Sequence, residues 1–296
     1  MNNIEIPSFL DVPVQKLEVI SESMHLHVRS FPKRKKDGGF RIINKPDPEL
    51  KTILRKINRH YLQRLYLPDS LHGSVKFRSP KTNALPHIAE TVIIKLDISD
   101  FFPSIKFPRV YQLFLDYGFS GKEAEILSKL TTFNNKLAQG FPTSSSIANL
   151  IIKSSLEPRI KNICEKYGFN LTIYQDDITI SGDRKILKFL SLFIRIIQQE
   201  GFSINKQKIK ILYSYKRQDV TGFVVNEKLN ISKEEYRKTK AEIHNLLVHG
   251  IGSYETSSPQ FLKQHLLGKI NRILEVNPQR GNKLLEEFKL IDFDIQ

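Results

Sequence analysis

Three aspartates carry the strongest chemical signal in this chain. Asp176 and Asp177 are adjacent inside an apolar, alternating stretch, LTIYQDDITISG (171–182). The alternation predicts a tight β-hairpin with both carboxylates at its turn. Asp97 ends a second apolar run, TVIIKLDI (91–98), which reads as a mostly buried strand. Burying an unpaired carboxylate is costly. Like charges side by side raise each other's pKa unless a cation lies between them. Divalent ions meet that need, and magnesium favours carboxylate oxygens combined with substrate phosphates. Two such ions, roughly 3.5–4 Å apart, can clamp an in-line displacement at phosphorus. One lowers the pKa of an attacking sugar hydroxyl, and the other holds a triphosphate and neutralises the leaving pyrophosphate. Asp97 can bridge both ions, with the backbone carbonyl of Ile98 as a further ligand. Singly, an Asp pair in a hairpin is ordinary turn chemistry, and an Asp at a strand end often caps the next element. It is the combination that points to nucleotidyl transfer.

The elements that must position these groups can be read from periodicity. FPKRKKDGG (31–39) pairs a basic run with a Gly-Gly turn and suits a hairpin tip, with Phe40–Asn44 returning. Residues 1–30 read as a short helical or irregular lead-in. Asp47-Pro48 opens a helix with Asp as N-cap and Pro in the first turn. Leu50, Ile53, Leu54, Ile57, Tyr61 and Leu65 share one face of it. Helices are expected over 108–138, 145–167 and 184–200, the last ended by Gly201. Short strands are expected at 209–213 and 220–226. Ser232 and Glu235 form a capping box for a helix running to His249 and stopping at Gly250. Ser258-Pro259 opens another helix that ends before Pro278. The class is therefore α+β, with residues 1–229 as a catalytic part and 230–296 as a helical C-terminal part.

Composition narrows the partners. Lys and Arg number 46 against 31 Asp and Glu, a net charge of +15 with pI near 9.7. Such an excess favours polyanions, chiefly nucleic acid. No apolar run of membrane-spanning length occurs, so no membrane partner is expected, and Met1–Asp11 lacks a basic, apolar export signal. The single cysteine, Cys164, excludes an intrachain disulfide framework or structural zinc site. A reducing cytoplasm is the expected compartment.

Four ordered motifs resemble those of the reverse transcriptases. DISDFFPSI (97–105) is similar to the family's first carboxylate motif, and QGFPTSSSIANLI (139–151) to its template- and nucleotide-contacting motif. YQDD (174–177) is similar to the Y-x-D-D box, and GFSINKQK (201–208) to the lysine-bearing motif after it. Two further elements resemble the retron branch of the family: NALPH (83–87) before the first motif and VTG (220–222) after the fourth. Gln175 stands where retrons more often carry a small residue, and Ser145 where proline is usual. Neither departure removes a metal ligand.

The resemblance implies a right-hand polymerase: fingers and palm with an antiparallel sheet over 1–229, and a helical thumb over 230–296. It implies two magnesium ions, replaceable by manganese, on Asp97, Ile98, Asp176 and Asp177. Phe102 would be the steric gate against a 2′-hydroxyl, with Phe101 in the core. Arg41 would grip the triphosphate, with Lys33 to Lys36 on triphosphate or template phosphates. Gln139 and Gly140 would shape the nucleotide pocket, and either Lys206 or Lys208 would act on pyrophosphate. Asn83, His87, Val220, Thr221 and Gly222 are assigned to RNA contact, as are Lys233, Arg237, Lys240 and His244 on a basic thumb helix. The implied partners are deoxynucleotides, a cognate noncoding RNA and its branched DNA product, and a separate effector protein of an anti-phage system. A reverse transcriptase of group II intron or abortive-infection type, or a catalytically silent RNA-binding scaffold, are the competing expectations.

Overall fold

The computed structural model describes residues 10–35, 38–251 and 258–293. Two helices, α1 (Val14–Glu22) and α2 (Met24–His27), lead into a hairpin of β1 (Val28–Arg34) and β2 (Phe40–Pro46). Helix α3 (Pro48–His60) follows, then α4 (Pro80–Ala84), β3 (Val92–Ser99), α5 (Phe101–Ser104), α6 (Phe107–Asp116) and α7 (Gly121–Thr131). A small hairpin of β4 (Thr132–Phe133) and β5 (Lys136–Leu137) precedes α8 (Ser144–Ser154) and α9 (Leu156–Tyr167). Next come β6 (Asn170–Tyr174), β7 (Asp177–Gly182), α10 (Leu190–Gln199), β8 (Ser203–Ile204) and β9 (Lys210–Tyr213). A last hairpin, β10 (Asp219–Val220) and β11 (Phe223–Val224), leads to α11 (Lys233–His249), α12 (Pro259–Leu274) and α13 (Pro278–Lys289). None of the described helices is long and apolar enough to cross a membrane.

Local chemistry explains the elements that position the site. The Asp47 carboxylate accepts from the Leu50 amide, and Pro48 occupies the first turn of α3. That helix buries Leu50, Ile53, Leu54 and Ile57, each worth roughly 1.5–3 kcal/mol of apolar transfer. Tyr61 and Leu65 lie beyond its end. At the tip of the first hairpin, the Lys35 amide donates to Gly39 and the Gly38 amide to Lys35. Gly38 adopts φ +90 there, which a side chain disfavours.

β3 is the central strand of an antiparallel sheet. β7 and then β6 lie on one side, and β8 and β9 share its other edge. Strand alternation divides its residues between two faces. Val92, Ile94, Leu96 and Ile98 face the larger core, which also holds the apolar faces of α3 and α6 to α10. Ile93 faces a second core, built from Ala84, Val220, Phe223, Val225 and the apolar stripes of α11 to α13. Lys95 and Asp97 continue along that same face.

The helix expected over 108–138 is two helices and a hairpin. Gly118, at φ +92, ends the first; Ser120 and Glu123 form a capping box that starts the second; Asn134 and Asn135, both at positive φ, turn β4 into β5. The helix expected over 145–167 breaks at Ser155, three residues before Pro158, which has no amide hydrogen for the Ser154 carbonyl. Residues 184–189 form a 3₁₀ turn before α10. The strand expected over 220–226 is the β10–β11 hairpin, and α13 is an additional C-terminal helix.

Behind the sheet, His87 is fully buried between β6 and β7. The Thr172 hydroxyl donates to the Asn83 carbonyl, so the His87 Nε2 hydrogen donates to Thr172 Oγ1 at 2.8 Å and Nδ1 accepts from Ser181 at 2.7 Å. Burial first, then His72 and Lys95, push its pKa down from 6.5 to about 3. Because the folded value is depressed, the stability that this residue contributes is full above pH 6.5 and is lost as the pH falls toward 3. His87→Ala should cost about 2–4 kcal/mol at neutral pH, from the cavity and two stranded hydroxyls. Denaturant titrations across pH 4–7.5 check this, and an unchanged stability curve in the variant would refute it.

Candidate active site

The β6–β7 hairpin turns at Gln175-Asp176, with Tyr174 opposite Asp177. Gln175 takes the left-handed conformation, φ +60. Its side-chain amide donates to the Gly73 carbonyl at 2.6 Å, and Asn149 donates to the same oxygen. A Cβ at Gly73 would lie 2.6 Å from the Gln175 amide nitrogen, so glycine is required for this approach. The residue that departs from the usual small side chain thus pins the turn to a neighbouring loop.

Asp97 and Asp177 are direct cross-strand partners of β3 and β7, so their side chains project from one face about 5 Å apart at Cβ. The Ile98 amide donates to the Asp176 carbonyl at 2.9 Å, which ties the turn to the end of β3. All three carboxylates therefore gather where β3 meets the hairpin. As the side chains are placed, no three acidic, imidazole or thiol groups among the described residues close into a ligand cage. Lysines stand against the carboxylates instead. Lys208 Nζ lies 3.4 Å from both oxygens of Asp97, and Lys95 Nζ lies 3.3 Å from Asp177. Burial first, then the charges of Asp97 and Asp177, hold Asp176 above the usual carboxylate range, against the pull of Lys208. This donor set, with its excess negative charge and ammonium counter-charges, fits hard divalent cations in type.

Asp97, Asp176 and Lys208 border a cleft of about 770 Å³, which Asp177 and Lys95 do not line. Asp97, Ile98, Asp176, Phe102, Gln139 and Lys208 line it on the sheet side, and Arg41 with Lys33, Arg34 and Lys35 on the side of the first hairpin. Lys36 lies outside the described residues. Phe101 is buried and Phe102 half-buried. Asp100, at φ +44, reverses the chain after β3 so that the pair sits on the short helix α5 rather than on a strand. Gln139 accepts the Asn44 amide at 2.8 Å through its carbonyl. Gly140 is at φ +120, and a Cβ there would stand 2.7 Å from the Asn44 carbonyl. Its missing side chain therefore admits β2. Of the two candidate lysines, Lys208 borders the cleft and Lys206 does not.

The residues assigned to RNA contact divide. Asn83, His87 and Val220 are fully buried, so their side chains cannot touch RNA in this structure, and that expectation is corrected. Asn83 links β6 to the β10–β11 hairpin, His87 ties β6 to β7, and Val220 packs in the second core. Thr221 accepts from Asn83 at 3.4 Å and donates to the Pro80 carbonyl at 2.7 Å, and Arg272 donates to the Gly222 carbonyl at 2.8 Å. Lys233, Arg237, Lys240 and His244 are exposed along α11. Sequence reading missed Lys95, Asp100 and Asn205. Lys95 was within reach of it, because alternation places it on the face of Asp97.

Comparison with known proteins gives one answer. The family model described as reverse transcriptase (RNA-dependent DNA polymerase) matches residues 33–225. The chain is 30% identical over 283 residues to the retron Mx65 reverse transcriptase of Myxococcus xanthus, covering 89% of this chain and 64% of that protein. It is 30% identical over 291 residues to the retron Ec86 reverse transcriptase of Escherichia coli, covering 96% of this chain and 88% of that protein. A third relative, the retron Mx162 reverse transcriptase of Myxococcus xanthus, is 31% identical, and the match spans 52% of its length. With its antiparallel sheet, flanking helices and carboxylate turn, the chain belongs to the retron-type reverse transcriptases, of right-hand polymerase fold.

Proposed function

We propose that this chain copies a cognate noncoding RNA into a branched RNA–DNA hybrid, and that it does so within an anti-phage system alongside a separate effector protein. The observation that carries the chemical part is the pairing of Asp97 with Asp177, with Asp97 and Asp176 bordering a cleft shared with the cations of the first hairpin. Residues 1–229 act as fingers and palm and 230–296 as thumb.

Asp97, Asp176, Asp177 and the Ile98 carbonyl would hold two magnesium ions, which when bound would acidify the sugar hydroxyl and supply counter-charge for pyrophosphate. Arg41 takes the triphosphate in fork geometry, with Lys33, Arg34 and Lys35 adding charge. Gln139 and the Gly140 backbone fix the pocket wall, and Phe102 lies under the sugar. Lys208, which stands 3.4 Å from Asp97 at the cleft, serves the pyrophosphate. Lys233, Arg237, Lys240 and His244 contact RNA phosphates from the thumb. Synthesis is primed from the 2′-hydroxyl of an internal guanosine in the cognate RNA.

Sequencing the nucleic acid that copurifies with the chain from its native host tests the reading. A DNA strand joined to a short RNA through a branch is the expected result. Recovery of RNA alone, together with no primer extension in magnesium or manganese, would overturn it in favour of a scaffold.

A further inference from the structure

The loop that braces the metal-bearing turn carries an aromatic side chain with no packing role. Phe77 is 90% exposed. Its backbone lies at φ +63, and Ser74 in the same loop lies at φ +58. Left-handed backbone is unusual for a bulky residue and is held only where the surroundings dictate it. The surroundings here are rigid. Leu71 bridges Ile173 of β6, the His72 amide donates to the Ile173 carbonyl, and the Ile173 amide donates to the Ser70 carbonyl. Arg78, largely buried, donates to the carbonyls of Leu67, Pro68 and Leu71 and to the Asp69 carboxylate. At the other end, Gly73 receives Gln175 and Asn149. The loop is therefore fastened to the strand and the turn that carry Asp176, while its tip projects Phe77 into solvent. Lys76 sits over the ring, with Nζ 4.8 Å from its centre.

We infer that Phe77, with Lys76, is a stacking platform for an unpaired template base beside the metal turn. The inference rests on the polymerase reading above. A base offers a π-face of any sequence to an aromatic ring, and the ammonium group pairs with the adjoining phosphate. A copying enzyme needs such sequence tolerance. The incoming template strand is single-stranded next to the base being copied, and Gly73, four residues before Phe77, is bonded to the turn that carries Asp176. A protein partner would use the same exposed ring but would not distinguish overhanging from blunt nucleic acid.

The test uses the full chain as wild type, Phe77→Gly and Phe77→Trp. The probe is a DNA primer on an RNA template that carries 2-aminopurine at the unpaired position beyond the one being copied. Wild type and Phe77→Trp should quench the probe. Phe77→Gly should lose the quench and bind the overhanging hybrid roughly ten-fold more weakly, with blunt-hybrid affinity unchanged. Its melting temperature should not fall, since glycine relaxes the positive φ and the ring packs on little besides Lys76. Equal quenching by Phe77→Gly, or equal losses on overhanging and blunt hybrids, would overturn the platform. If wild type extends primers while Phe77→Gly matches it in every assay, the platform falls and the polymerase reading stands. If wild type extends nothing, both fall.

Discussion

Changing Asp176 and Asp177 together to Asn should reduce DNA synthesis by at least about 10³-fold while RNA affinity is retained. On the proposed two-ion reading, the size follows from the loss of cation binding, worth several kcal/mol of transition-state charge stabilisation, at about 1.4 kcal/mol per decade. The sign of the binding effect follows from electrostatics. With divalent ions withheld, removing negative charge beside Arg41, Lys33, Arg34 and Lys35 does not weaken the hold on a polyanion. The single variant Asp176→Asn adds a reading on stability. The cleft walls strip part of the hydration of Asp176, and its two carboxylate neighbours repel it, so its pKa is raised. A group with a raised folded pKa stabilises the fold in its protonated form and loses that contribution as pH rises through the folded value. Asn mimics the neutral form. The metal-free variant should therefore melt no lower than wild type at neutral pH. Asp177→Asn is the poorer choice for that reading because it leaves Lys95 without its partner. Primer extension, filter binding and thermal melting check the three parts. Parallel loss of RNA binding and activity would make the pair structural.

Much of this site was legible because its spacing rules are local. The alternation around QDD put both carboxylates at a turn, and β3 and β7 pair as antiparallel neighbours with Asp97 facing Asp177. The Asp47 cap and the Ser232 cap both form. What was not legible depends on contacts distant in sequence. Apolar spacing over 108–138 overrode two written stop signals, the Ser120–Glu123 box and the Asn134-Asn135 turn. The roles of NALPH and VTG were also hidden. Thr221 at φ +45 is a β-branched residue where Asn or Gly would suit a hairpin turn. It is held there by Asn83 and Pro80, more than a hundred residues away. Nothing in the local sequence says that the two motifs satisfy each other, and so their polar side chains read as ligands for RNA. The same applies to Gln175, whose function as a brace is visible only once Gly73 is beside it.

Phe102→Ala should raise ribonucleotide incorporation relative to deoxyribonucleotide by roughly 100-fold, in the range that pocket shape alone achieves, while deoxyribonucleotide use falls much less. The argument is steric. Asp100 turns the chain at the end of β3, and α5 then divides its aromatic pair. Phe101 packs into the core against Phe202, 6.0 Å between ring centres. Phe102 stays half-buried at the cleft, with its ring 5.3 Å from that of Phe101. If Phe102 is the gate proposed above, Phe101 is its backstop, because the Phe102 ring cannot retreat from an added hydroxyl without disturbing the core. Truncation to Ala removes the obstacle but also strips Phe101 of a neighbour, so some stability is lost with it. Phe102→Tyr separates the two effects because it keeps the ring in place. It should keep wild-type sugar selectivity and stability, whereas Phe102→Leu should lie between wild type and Ala in selectivity. Single-nucleotide kinetics with matched ribo- and deoxyribonucleoside triphosphates measure the ratio directly. If Phe102→Ala, folded by its melting curve, discriminates between sugars as wild type does, then the ring is only packing and the filter lies elsewhere along the cleft.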